Sequence, residues 1–385
     1  MPRGSEGIPI NKTLVAWARQ RAGLTLEEAA QKFRHIAAWE EGSALPTYPQ
    51  LESMAEEFKL PIAVFFFPEP PRMPPIRESF RTLPDTEFDR IPKAVRFLLQ
   101  KAKALQLNLV ELTQGVNPAP RQIARELRFR DSETPEKMAA RVREYLGITV
   151  DMQSGWRDDD SALKAWRSAL QGIGIFVFKD AFRTEDFFGF SLYDETFPLI
   201  YVNNSATKTR QIFTLFHELA HILFHTSGID TPDERYIPAL PDRDRRIEVL
   251  CNRFAAHFLL PEDAFVQSVA GLRHNEASAE RLAALFHVSR ETIYRKFLDR
   301  QWITQLEYRR AVDGWNAQRQ EGGSGGNHYR TKIAYLGREY IELAFRQYYQ
   351  NRIDDEQLAD YLDTKVKNVG ALEEYVMAGG NELRL

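Results

Sequence analysis

The sequence predicts a mostly α-helical chain built around a small α+β core. Three observations carry that expectation. Apolar residues recur at helical spacing along most of the 385 residues. Strand-like runs gather in one place, between residues 173 and 204. An apolar helix with two histidines one turn apart follows them directly. Composition sets the frame: 43% hydrophobic and 27% charged residues are ordinary for a globular protein. This length calls for two or three domains.

The first region, 1–68, reads as short helices. "KTLVAWARQRAG" stops at Gly23. Thr25 is an N-cap with Glu28 three residues on, a capping-box spacing before "LEEAAQKF". "HIAAWEEG", "YPQLESMAEEFKLP" and an apolar plug, "PIAVFFF", follow. "PEPPRMPP" holds five prolines in eight residues and marks a stiff boundary. Region 69–155 is a proline-rich linker and helical module. Val95, Leu98, Leu99, Ala102, Leu105, Leu109 and Leu112 form one helix face. Thr134 and Pro135 open a further helix that Gly147 closes.

Region 156–320 is the expected core. The helix "SALKAWRSALQG" precedes strands "IGIFVFK", "FGFSLYD" and "PLIYVNN", the last two joined as a hairpin through "ETF". "FTLFHELAHILFH" is the next helix, and "RDRRIEVLCNRFAAHFLLP" is an amphipathic one ended by Pro261. "SAERLAALFHVSRETIYRKF" has helix-turn-helix grammar. "EGGSGG" at 321–326 marks a hinge, and 321–385 reads as a movable helical tail.

Charge and cysteine usage narrow the function. A net charge of −3 gives no global basic field for nucleic acid. No apolar run approaches the roughly 18 residues of a membrane span. The single cysteine, Cys251, allows no internal disulfide. With "MPRGSEGIPINKT" lacking an apolar segment, the expectation is a cytoplasmic protein.

The chemistry sits in His-Glu-x-x-His. Residues i and i+4 of a helix face the same way, so His217 and His221 can bind one cation. Glu218 lies beside them, where it can take a proton from a water polarised by the ion. With 8 histidines in the chain, a chance match is on the order of one in a hundred. Two imidazoles and one carboxylate suit Zn2+ with a fourth position open. Position 227 is serine, so no third histidine follows at that spacing. Carboxylate candidates are Asp230, Asp233, Glu234, Asp242, Asp244 and Glu248. Glu248, on an apolar helix face, needs a partner most.

"FTLFHELAHILFH" followed by "IEVLCNRFAAHFLLP" strongly resembles the ImmA/IrrE zinc metallopeptidases over residues 160–300. The resemblance implies a zincin-like core with His217, His221 and Glu248 as zinc ligands and Glu218 as general base. Cys251 stands where that family has alanine; it reads as a buried thiol. His225 lies a turn too far to be a ligand. Asn252 is expected to orient the Glu248 segment. Tyr201, Arg210 and Tyr236 are candidates for stabilising an oxyanion. "PLIYVNN" is expected as an edge strand to which an extended substrate adds.

The first region resembles a Cro/repressor-type helix-turn-helix. Only Arg34, His35 and Ile36 stand where a turn and the start of a recognition helix belong. Residues 1–68 hold seven Lys and Arg against eight Glu, so direct DNA binding is doubtful. Arg281, Arg290, Arg295 and Lys296 make the second unit more basic. The resemblance implies an intracellular zinc endopeptidase that cuts a helix-turn-helix repressor or antitoxin-like protein, switching on stress, mobile-element or defence genes. The alternative is a DNA-binding regulator with a structural or sensing zinc site.

Overall fold

The computed structural model describes residues 7–22, 24–58, 60, 62–70, 91–184, 186–230, 242–317 and 328–378. The described chain divides into two compact units between Lys101 and Ala102, inside helix α5 (Lys93–Leu112).

In the first unit, α1 (Lys12–Arg21) starts at Asn11, whose side chain accepts from the Thr13 amide. The expected capping box holds α2 (Leu26–Lys32). Thr25 Oγ1 accepts from the Glu28 amide at 3.1 Å and Glu28 Oε2 from the Thr25 amide at 2.8 Å. Helix α3 is Ile36–Glu41 and α4 is Tyr48–Phe58, followed by a 3₁₀ turn at Ile62–Phe66. Val15, Ile36, Trp39, Met54, Phe58 and Phe65 fill the core between them. Of the apolar plug, Val64 and Phe65 pack into this core, whereas Phe66 and Phe67 are exposed. Helix α3 has six residues, under two turns, which is short for a groove-reading helix. Arg19 pairs with Glu40, and Lys32 with Glu57, so part of the positive charge is neutralised locally.

The second unit carries α6 (Ile123–Glu126), α7 (Pro135–Leu146), α8 (Val150–Ser154) and α9 (Asp159–Gly172) ahead of the sheet. The sheet strands are β1 (Phe176–Asp180), β2 (Gly189–Leu192), β3 (Leu199–Asn203) and β4 (Ile229–Asp230), in the order β1-β3-β2-β4. β1 and β3 run parallel from Phe176↔Leu199 to Asp180↔Asn203. β2 pairs antiparallel with β3, and the turn between them closes through Asp194, whose carboxylate accepts from the Thr196 and Phe197 amides. The hairpin matches expectation. The edge-strand expectation does not: β3 is bonded on both sides, so it has no free edge for an added strand. The two-residue β4 had no pattern long enough to be read from sequence.

Helix α10 (Lys208–Leu223) crosses one face of the sheet. Ile212, Leu215, Phe216, Leu219, Ala220, Ile222 and Leu223 are buried around its circumference, as in a core helix. Gly189 lets it approach: a Cβ there would lie 2.4 Å from Thr214 Cγ2. Helix α11 (Asp242–Leu259) packs along α10. Beyond it lie α12 (Glu262–Val269), α13 (Glu276–Phe286), α14 (Arg290–Asp299) and α15 (Gln305–Ala317). The α13–α14 pair has helix-turn-helix form, with Ser289 capping α14. Three of its four basic residues are engaged: Arg290 stacks on Trp315, Arg295 pairs with Asp299 and Lys296 with Glu262.

The tail forms α16 (His328–Leu336), α17 (Arg338–Tyr349), α18 (Asp355–Tyr361) and α19 (Val366–Ala378). The hinge "EGGSGG" lies outside the described residues. The helices after it are not a separate module. α16 packs on β1, and Arg167 of α9 donates to the Ala334 carbonyl at 2.7 Å. Tyr340 meets Phe178 edge-on at 5.3 Å, closing an aromatic layer that includes Tyr201 and Phe190. The sheet thus buries both faces, one under α10 and one under the tail. Among the described residues no helix is long and apolar enough to cross a membrane.

Candidate metal centre

Two helices bring the centre together. Trp166 of α9, Phe216 of α10 and Phe258 of α11 interlock, with ring centroids 4.9 Å apart for Trp166–Phe216 and 4.0 Å for Phe216–Phe258. Such aromatic pairs add about 0.5–1.5 kcal/mol each beyond their buried area. They set the register in which the polar stripe of α10 faces Glu248 of α11.

His217 Nε2 and His221 Nε2 lie 3.2 Å apart. Glu248 Oε1 is 3.4 Å from His221 Nε2, and Glu248 Oε2 is 3.6 Å from His217 Nε2. Ligand atoms about 2.0–2.1 Å from one tetrahedral ion stand about 3.3 Å apart. The three observed edges fit that spacing. The tautomers agree. His217 Nδ1 faces Asn252 Oδ1 at 3.0 Å, an acceptor, so Nδ1 carries the proton. His221 Nδ1 lies 3.4 Å from Thr226 Oγ1. With the protons on the Nδ1 side, the Nε2 lone pairs point at each other and need a cation between them. Burial lowers the pKa of His217. At His221 burial acts the same way, but Cys251 and Glu248 beside it outweigh burial and raise the pKa.

Glu218 is fully buried. Its Oε2 accepts from Ser191 Oγ at 2.6 Å, while Oε1 has no hydrogen-bond partner among the described residues. Burial pushes its carboxyl up to about 8. A divalent cation beside it pulls toward the carboxylate form. One buried carboxylate oxygen without a partner among the described residues, within electrostatic reach of His221 and Glu248, is a costly arrangement unless something is bound there.

Residues 171–298 match the family model for the IrrE N-terminal-like domain of peptidase family M78. The chain thus carries an IrrE N-terminal-like domain. The matched span contains every residue of the centre, and it suggests a metallopeptidase. It does not extend to the N-terminal helices. No curated protein matches the chain.

Within the IrrE-like domain, His217, His221 and Glu248 converge in a metal-sized group, and Glu218 interacts electrostatically with His221 and Glu248. The other carboxylates do not join it. Asp230 is buried but held by Arg210 and by Thr214 Oγ1. Asp242 is exposed and pairs with Arg245, and Asp244 is half-exposed. Asp233, Glu234 and Tyr236 lie outside the described residues. Tyr201 is on the far face of the sheet, its hydroxyl toward Asp180, so it cannot meet an oxyanion at the centre. Arg210 is committed to Asp230 and stacks on Phe188. His225 stacks on Tyr193 at 4.7 Å, outside the metal group. Cys251 also stays outside it; burial pushes its thiol up to about 11. Asn252 orients His217 rather than the Glu248 segment. Sequence reasoning missed Ser191 and Thr226; neither has a spacing that points to the motif.

Proposed function

We propose that the chain is a zinc-dependent endopeptidase, using His217, His221 and Glu248 as zinc ligands and Glu218 as the general base. Its proposed substrate is a helix-turn-helix repressor or antitoxin-like protein, whose cleavage releases stress, mobile-element or defence genes. One observation carries the catalytic part: two Nε2 atoms and one carboxylate converge at 3.2–3.6 Å, and the neighbouring Glu218, in electrostatic contact with them, has one buried oxygen without a partner among the described residues. The substrate class rests on the resemblance to ImmA/IrrE peptidases.

A zinc ion held there supplies Lewis acidity and brings the pKa of water toward about 7. The rest is the work of the chain. Asn252 and Thr226 hold the two imidazoles in the tautomer that presents Nε2. Glu218 Oε1, the carboxylate oxygen without a partner, accepts the proton of the attacking water. The same atom returns it to the leaving amine. The buried setting strengthens each of these interactions by lowering the local dielectric.

The test pairs metal analysis with cleavage. The purified chain is expected to carry one zinc, and Glu218→Gln should keep it. Incubated with a candidate repressor, the wild type should give fragments and Glu218→Gln none. Cleavage by Glu218→Gln at the wild-type rate overturns the reading.

A further inference from the structure

We propose that Ser191 is the positioning residue for the base, holding one Glu218 oxygen so that the other is left to handle the proton. This rests on the peptidase reading above.

The argument begins with hydrogen direction. Ser191 lies in β2 with its side chain fully buried toward α10. The Gly228 amide donates to Ser191 Oγ at 3.2 Å. An N–H can only donate, so it occupies a hydroxyl lone pair. The single hydroxyl proton is then directed to Glu218 Oε2, 2.6 Å away. At 2.6 Å the contact is short enough to be charge-assisted once Glu218 is ionised. The chain Gly228 N–H to Ser191 O–H to Glu218 Oε2 fixes the carboxyl rotamer from a rigid strand.

The second step concerns what is left unsatisfied. A fold using Ser191 only for stability would gain by giving both carboxylate oxygens a donor. Here one is clamped and the other has none among the described residues. Gly228 adds a link to the metal side. Its backbone lies so close to the His221 ring that an added Cβ would sit 2.3 Å from Cδ2. One short segment therefore seats a ligand and orders the hydroxyl that aims the base.

The test uses the full chain. In metal-free protein, thermal midpoints of Ser191→Ala, Glu218→Ala and the double variant form a cycle. The losses should not add, because Ser191 has nothing to hold once Glu218 is gone. Additive losses overturn the contact. In the zinc-loaded protein, with labelled casein as the probe, Ser191→Ala should keep one zinc and lose about 10–100-fold in kcat at an almost unchanged KM. Ser191→Thr, which keeps the hydroxyl, should recover most of it. Wild-type kcat in Ser191→Ala overturns the positioning role. A loss of zinc, or an equal loss in Ser191→Thr, assigns the residue to packing instead and also overturns it. Glu218→Gln is the control for the peptidase reading. If it cuts casein like the wild type, that reading fails, while the metal-free cycle still reports on Ser191.

Discussion

Gly228→Ala is expected to damage metal binding without touching a ligand. The Gly228 φ lies outside the left-handed region, so the backbone itself accepts alanine. The conflict is steric. A Cβ there would lie 2.3 Å from His221 Cδ2, 2.4 Å from Cγ and 2.7 Å from Nε2. Carbon–carbon contact needs about 3.5 Å, so the ring must withdraw by about 1.2 Å. Metal–ligand distances tolerate about 0.2 Å. The ring cannot both clear the methyl and keep its place opposite His217. Zinc affinity should fall at least 10–100-fold, measured by competition with a chromogenic chelator. The metal-free protein should lose about 1–3 kcal/mol from overpacking, read from denaturant unfolding. A folded Gly228→Ala with wild-type zinc affinity would refute the idea that this backbone seats His221.

Further outcomes follow from the same geometry. Glu248→Ala should lose most bound zinc; one zinc per chain in that variant removes Glu248 from the centre. Asn252→Ala should weaken zinc about 10-fold by freeing the His217 ring, while Val249→Ala, at an exposed position of the same helix, should not. Lys179 gives a pH test. It is buried, donates to Gln211 Oε1 at 3.1 Å, and burial pulls its pKa down to about 6. Between about 6 and about 10.5 the unfolded chain holds a proton that the folded chain lacks, so this group makes stability rise with pH across that window. Its destabilising effect is full below about 6 and gone above 10.5. Lys179→Met should reduce the slope of unfolding free energy between pH 7 and 9 by about 1.4 kcal/mol per pH unit. An unchanged slope would show that Lys179 stays charged in the fold.

Much of the centre was legible because helical periodicity is local. His217, Glu218 and His221 are one turn of one helix, and their relation follows from 3.6 residues per turn. The capping box at Thr25 and the hairpin at Asp194 were legible for the same reason. Glu248 was one carboxylate among six by spacing; the ImmA/IrrE resemblance selected it, and the Phe216–Phe258 contact is what places it. Ser191 was invisible because it stands 27 residues from Glu218. Tyr201 and β3 were misjudged because no local pattern says which side of a sheet is covered. β1 took the open side of β3, and the tail covered the far face. By itself, then, the sequence determined most of the elements, the paired histidines and the carboxylate of Glu218 beside them, all fixed by neighbours along the chain. Tertiary structure alone decided which donor bonds Glu218, which amide orients His217 and which strand is central, because each depends on non-local packing that brings distant segments together.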